Sequence, residues 1–271
     1  MTVPRRLRSR SALTLVLVAF SAVAVGCGSS SSTSSVVPSS SSANSSSTTS
    51  STAAPPPTVY AAASLTKVFP AIDPSAKYTF GGSGALEIQI EQGAPADVFA
   101  AASPKQPAAL YAKGLIDKPV EFATNKLVLI VPQSNPAHIT SVNDITKPGV
   151  KLVICQASVP CGDYARNVFK ALGIAGSAMK NVVSQATDVT QTLTQVAVGQ
   201  ADAGFVYITD AKAANGKVTV IPLPASAKPH AKDFLAVVKA SKNQAAAQAF
   251  IADVLSAAGQ AKLAAAGFGK P

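Results

Sequence analysis

From Val59 onward, short apolar runs alternate with segments of helical apolar spacing, and this alternation restricts the fold more than any other feature. Val59-Tyr60-Ala61-Ala62-Ala63 reads as a strand, and a helix is expected from Ser64 to about Phe69. Tyr78-Thr79-Phe80 is a second strand. The turn Gly81-Gly82-Ser83-Gly84 then leads into a helix from about Ala85 to Gln92. Asp97 to Ala100 is a buried strand, and Pro107 to Lys113 a helix ended by Gly114. Leu127 to Val131 and Leu152 to Cys155 are continuous apolar strands, followed by a helix from Gly162 to Leu172 that stops at Gly173. Asp188 to Val198 is helical up to Gly199, and Ala203 to Tyr207 and Phe234 to Val238 are strands. Two Ala-rich helices, about Asn243 to Ala257 and Gly259 to Ala266, complete the pattern. Strand–helix alternation of this kind predicts an α/β protein with mainly parallel sheets.

The first 57 of the 271 residues do not share the pattern. Arg5, Arg6, Arg8 and Arg10 precede an apolar stretch from Ala12 to Val25 that ends at Ala24-Val25-Gly26-Cys27, the order of an export signal. The stretch is shorter than the roughly 20 residues a membrane span needs. Its last four residues resemble the lipobox of bacterial lipoproteins, with Ala24 where Leu is usual. That resemblance implies lipid on Cys27 and an extracytoplasmic chain held at the cell membrane. Ordinary secretion fits better than twin-arginine export. Residues 28–57 are almost all Ser, Thr and Pro, with too little apolar surface to offset ordering entropy, so a disordered tether is expected. From Thr58 to Pro271, 214 residues remain to build one large or two small domains.

Charge and cysteines narrow the function. Of 23 basic residues four are the arginines of the signal, which leaves 19 against 13 acidic ones. The lysines are scattered singly without aromatic interleaving, a pattern that excludes a nucleic-acid interface. With Cys27 assigned to lipid, Cys155 and Cys161 stand six apart, and in an oxidising compartment they are expected to form a disulfide. Only His138 and His230 could join them at a zinc ion, so no metal ligand set is expected.

Four turns or polar stretches lead directly into helices, at Ser64, Ser83, Cys161-Gly162 and Asp188-Val189. Each helix start carries unpaired N–H groups and the positive end of a dipole, which makes it an anion site. Ser64 and Ser83 stand where N-caps would stand, and capping alone would account for either one. Several such starts after strands point instead to ligand binding at strand carboxyl ends.

Four segments then carry a resemblance. Ala61-Ala62-Ala63-Ser64-Leu65-Thr66 comes first, followed by Glu91-Gln92-Gly93-Ala94-Pro95-Ala96-Asp97-Val98-Phe99. Val159-Pro160-Cys161-Gly162-Asp163-Tyr164-Ala165 and Gly204-Phe205-Val206-Tyr207-Ile208-Thr209-Asp210-Ala211 complete the set. In that order they resemble the periplasmic molybdate-binding proteins of ABC importers, type II solute-binding proteins, from about Val59 to Gly269. The resemblance implies a two-lobed periplasmic-binding-protein fold, a venus flytrap, with the ligand cleft between lobes. Residues 58–124 and 225–271 are then expected in one lobe and 125–224 in the other. It implies ligand hydroxyls from Ser64 and Ser83, backbone N–H groups from Cys161 and Val189, and a phenol donor from Tyr207. The partners implied are molybdate or tungstate and an importer permease. The protein is expected to be a monomer without cofactor. Two departures stand out. Gly81-Gly82-Ser83-Gly84 replaces a more Ser-rich run, and the stretch from Phe69 to Lys77 is shorter than usual.

The residues support this independently. A tetrahedral dianion needs donors on all sides, and charge-assisted bonds are roughly twice as strong as neutral ones. None of the five proposed contacts is charged, and none offers an acceptor to a protonated anion, which disfavours phosphate. Asp163 and Asp188 stand close by in sequence. Sulfate is the alternative ligand. A hydrolase would need a base for Ser64 or Ser83, but His138 and His230 lie outside every motif and Ala85 breaks a Gly-x-Ser-x-Gly elbow. A structural, adhesin-like lipoprotein would need no paired serines at helix starts.

Overall fold

The computed structural model describes residues 55–271. The signal over 1–27, the lipid site Cys27 and the tether as far as residue 54 lie outside the described residues. Nine strands are described: β1 Thr58–Ala62, β2 Lys77–Gly81, β3 Val98–Ala101, β4 Val120–Pro132, β5 Leu152–Cys155, β6 Val182–Ala186, β7 Ala203–Tyr207, β8 Val218–Ile221 and β9 His230–Val237. The helices among them are α1 Phe69–Ile72, α2 Ser83–Glu91, α3 Lys105–Ala112, α4 Pro160–Ala171, α5 Ala175–Lys180, α6 Val189–Ala197, α7 Ile208–Ala213, α8 Gln244–Leu255 and α9 Ala257–Ala266.

One strand belongs to both lobes. The first half of β4, Val120 to Lys126, pairs antiparallel with β9, which continues through β3 and β1 to β2 at the far edge. Its second half, Leu127 to Pro132, pairs with β7 on one side and β8 on the other, and β7 continues through β5 to β6. The register changes partner between Lys126, opposite His230, and Leu127, opposite Tyr207. The chain thus leaves the first lobe along β4 and returns to it along β9, so both crossings are strands lying side by side.

The expectation of mainly parallel sheets needs correcting. β1–β2, β1–β3, β5–β6 and β5–β7 are parallel, but every pairing made by β4 or β9 is antiparallel. Crossing out and back between lobes forces these two strands to run in opposite directions. Within each lobe the strands that alternate with helices stay parallel, as βαβ crossovers require.

The first lobe is covered on both faces. Val59, Ala61, Val98, Ala100, Leu235 and Val237 face one core with Phe69, Phe122 and Phe250. Tyr60, Phe99, Ala101 and Ala236 face the other with Leu86, Ile90 and Leu110 from α2 and α3. This period-two split is why these strands read as unbroken apolar runs. Phe69 anchors the first core, its ring 5.3 Å from Phe250 and 5.7 Å from Phe122. In the second lobe Phe169 of α4 meets Phe205 of β7 edge-on at 5.3 Å. None of the described helices is long and apolar enough to cross a membrane.

Two helix expectations change. The helix from Ser64 is only a 3-10 turn, Ala63–Leu65, and the separate α1 follows it with Pro70 as its second residue. Ser83 is the first residue of α2 rather than its cap. Gly82 is extended there (φ −66°, ψ 130°), and its carbonyl accepts from the N–H groups of Ala85 and Leu86.

Candidate functional site

Strand ends and helix starts from both lobes converge on one cavity. It is lined by Ala62, Ala63 and Ser64 at the end of β1, Gly81 to Ser83 where β2 gives way to α2, and Ala102 after β3. The other lobe contributes Val159 to Cys161, Asp188, Val189 and Tyr207. All five residues singled out from the sequence as donors, Ser64, Ser83, Cys161, Val189 and Tyr207, therefore reach the same space. The cavity is small, about 10 Å³. A single water needs about 10–15 Å³. The space between the lobes is therefore narrow, and a sugar or amino acid does not fit it.

Each donor is held by its local structure. Ser83 opens α2 and is buried, and its Oγ accepts from the Ala102 N–H at 3.3 Å, which leaves the hydroxyl hydrogen to donate elsewhere. Ser64 lies in the 3-10 turn, buried, with its Oγ unpartnered. Pro160, the first residue of α4, has no N–H, and the amides of Gly162 and Asp163 both turn back to the Val159 carbonyl. Cys161 is then the amide that heads the helix. Asp188 caps α6, its carboxylate accepting from Gln191 N–H at 2.9 Å, so Val189 N–H heads that helix. Three α-helices, α2, α4 and α6, thus aim their positive ends at one point.

Tyr207 ends β7 and precedes α7. Its ring is 1% exposed and meets Tyr164 edge-on at 6.4 Å, while its hydroxyl has no partner. Burial, then the neighbouring Tyr164, Asp233, Asp210 and Asp163, push its pKa well above the usual value. The phenol stays protonated and can only gain by donating. An unpartnered buried hydroxyl costs about 1–3 kcal/mol, and here two of them, on Ser64 and Tyr207, belong to residues that line the same cavity.

The connection between β5 and α4 is braced twice. Cys155 and Cys161 are joined by a disulfide with Cα atoms 5.8 Å apart. Arg166 donates to the carbonyls of Cys155 at 3.0 Å and Gly162 at 2.9 Å, and to Gln185 Oε1 at 2.7 Å.

Asp188, expected close to the site from its place beside Val189, lines the cavity. Sequence reasoning passed over other residues around the site. Asp210, three residues after Tyr207, accepts from the Tyr207 N–H at 3.0 Å; its place as the third residue of α7 was the available signal. Burial, then the charge of Asp188, push Asp210 up to about 7 against that hydrogen bond. Asp233 on β9 is fully buried with neither oxygen partnered, and burial, then Asp210 and Glu121, raise its pKa well above the carboxylate range. No sequence signal marked it. Among the described residues no cluster of three or more His, Cys, Asp or Glu could hold a metal ion.

Known proteins resemble this chain in sequence and fold. Residues 57–269 match the family model of the bacterial extracellular solute-binding proteins. The molybdate-binding protein ModA of Mycobacterium tuberculosis is 40% identical over 223 residues, 79% of this chain and 84% of that protein. The periplasmic molybdate-binding protein of Azotobacter vinelandii superposes with a TM-score of 0.67 at 24% identity, over 79% of this chain and 99% of that one. The sulfate-binding protein SubI of Mycobacterium tuberculosis superposes with a TM-score of 0.64 at 19% identity, over 78% and 85%. The last two likenesses speak for the two-lobed fold alone.

Proposed function

The chain belongs to the bacterial extracellular solute-binding protein family, and from that premise we propose that it captures molybdate and delivers it to the permease of an ABC importer. It binds its ligand and does not transform it. The observation that carries this reading is the pair of buried, unpartnered hydroxyls, Ser64 Oγ and Tyr207 OH, beside a cavity headed by three helix starts. Ser83 Oγ, Cys161 N–H and Val189 N–H complete a donor set drawn from both lobes. Similarity to a molybdate-binding relative at 40% identity supports the choice of anion.

The ligand's charge is met by helix ends and neutral donors rather than by a cation, so full ionisation of the anion matters. Among the described residues Asp188 is the only carboxylate lining the cavity, and one of its oxygens accepts from the Gln191 N–H of its own helix. The five donor groups themselves include no carboxylate to accept the proton of a protonated phosphate, which disfavours phosphate. Tungstate has the same charge and shape as molybdate and binds equally. Sulfate is smaller and leaves longer bonds to the same donors. In the exported chain, lipid on Cys27 and the tether over 28–57 hold a monomeric binding domain at the membrane surface.

Calorimetric titration with molybdate, tungstate, sulfate and phosphate in parallel tests this. Tight binding of the first two and weak or no binding of the others is expected. Equal affinity for sulfate and molybdate would replace the proposed ligand class.

A further inference from the structure

We infer that Gly82 and Gly84 determine affinity by setting how far the two lobes close on the anion, an inference that rests on the binding reading above. Gly82 has a φ of −66° and a ψ of 130°, which any residue adopts, so its backbone does not call for glycine. The space does. A Cβ on Gly82 would collide with the carbonyl oxygen of Thr187 and press on Val159 Cγ2 at 3.1 Å. A Cβ on Gly84 would collide with the carbonyl oxygen of Ser158. For both glycines the nearest atoms all belong to the opposite lobe. Gly81 beside them differs, since a Cβ there would meet only Leu86 of its own lobe, at 3.6 Å.

The opposing atoms cannot easily give way. Ser158 lies inside the loop closed by the Cys155–Cys161 disulfide, and Thr187 directly precedes the cap of α6. The Ser158 carbonyl also accepts from Gln106 Nε2 across the cleft at 3.3 Å, and Gln106 is held by Ser103 Oγ at 2.5 Å. That carbonyl is thus seated over Gly84 and latched by Gln106 at the same time. Cys161 and Val189 stand two or three residues from these contacts. A methyl group that holds the loops back holds their N–H groups back as well, and hydrogen bonds weaken beyond about 3.2 Å. The glycine-rich turn that replaces a more Ser-rich run therefore supplies close approach between lobes.

Gly82→Ala and Gly84→Ala in the full chain test this, with Gly176→Ala, which has nothing within 4 Å of its Cβ, as control. Three quantities are measured: molybdate affinity by calorimetry, the ligand-free thermal midpoint, and compaction on adding molybdate by small-angle X-ray scattering. If the closed form falls to a tenth of its population, affinity falls about tenfold. Each cleft variant is expected to lose at least that much and to compact less, with the ligand-free midpoint unchanged or raised. The control should match wild type in affinity and compaction, with its ligand-free midpoint unchanged or slightly raised by the helix preference of Ala. Wild-type affinity in both cleft variants overturns the inference. So does a fall in the ligand-free midpoint that matches the loss of affinity, because the glycines would then serve the first lobe's own packing. A wild-type chain that binds no molybdate removes the ligand reading and this inference with it. Wild-type binding with unchanged variants removes this inference alone.

Discussion

Tyr207 and Ser64 present the same physical problem, a buried hydroxyl with nothing to donate to. Their removal should cost the ligand-free protein nothing. Tyr207→Phe keeps the ring against Tyr164 and deletes a donor to a charged acceptor, worth about 1.5–3 kcal/mol. Affinity for molybdate should drop by about ten- to a hundredfold on that basis. The thermal midpoint without anion should hold or rise slightly. A midpoint that falls together with affinity would make the hydroxyl a structural group. Asp210 behaves in the opposite way. Its folded pKa of about 7 lies above the ordinary carboxylate value of 3.8, so the folded protein keeps a proton that the unfolded chain releases. Its stabilising effect is complete below pH 3.8 and is lost as pH rises to about 7. The loss can approach 1.4 kcal/mol per pH unit, roughly the energy of one pKa unit. Buried Asp233, shifted in the same direction, adds to that slope. Asp210→Asn can still accept from the Tyr207 N–H and should flatten the slope of urea-derived stability between pH 4 and 7. A slope equal to that of wild type would show that Asp210 is ionised in the fold.

At the scale of elements, the connection from β5 into α4 carries the most. The chain-entropy model assigns about 2 kcal/mol to a disulfide closing so short a loop. For a domain of this size that corresponds to a midpoint lower by about 4–8 °C in the double variant Cys155→Ala/Cys161→Ala. Arg166 still ties both ends of the connection, so the fold should survive. Molybdate affinity should fall more than stability alone would suggest, because Cys161 N–H heads α4 into the cavity. Unchanged affinity would mean that Arg166 suffices to aim the helix. This connection was legible in the sequence, since an apolar strand, two cysteines and a proline at the helix start each have a local signature. β5 and β7 were readable for the same reason, being buried runs bounded by turns. Only Leu127 to Val131 of β4 was readable, because Val120-Glu121-Phe122-Ala123 and Thr124-Asn125-Lys126 mix polar with apolar residues along the crossing. The exposed edge strand β6 and the short α5 and α7 lack a continuous apolar stripe and went unread. Ser83 was read as a cap and misplaced by one position, because the true cap, Gly82, acts through its backbone. The crowding at Gly82 and Gly84 comes from residues more than 70 positions away, and no local pattern could carry it.

For the whole molecule, the shared strand decides how the lobes respond to ligand. β4 runs through both sheets, and the C-terminal Gly269 exchanges backbone hydrogen bonds with Thr124 close to the crossing, at 2.8 and 2.9 Å. The two sheets share this one continuous strand, joined at Lys126–Leu127, so unfolding of either lobe frays the strand that enters the other. One cooperative thermal transition is therefore expected with or without anion, rather than two. An anion gripped from both lobes binds only the folded state and raises its stability by RT ln(1 + [L]/Kd), about 2.7 kcal/mol at a hundred times Kd. A domain of this size gains about 2–4 °C per kcal/mol, so molybdate at that level should raise the midpoint by roughly 5–10 °C. Tungstate should do the same, and sulfate at equal concentration should add little, having shorter reach to donors fixed on separate lobes. Differential scanning calorimetry over an anion series tests all of this together. A midpoint rise equal for sulfate and molybdate would indicate a general electrostatic effect of dianions. A transition that splits on adding molybdate, with only one half moving, would show that the anion is held by a single lobe and that the donors of the other do not reach it.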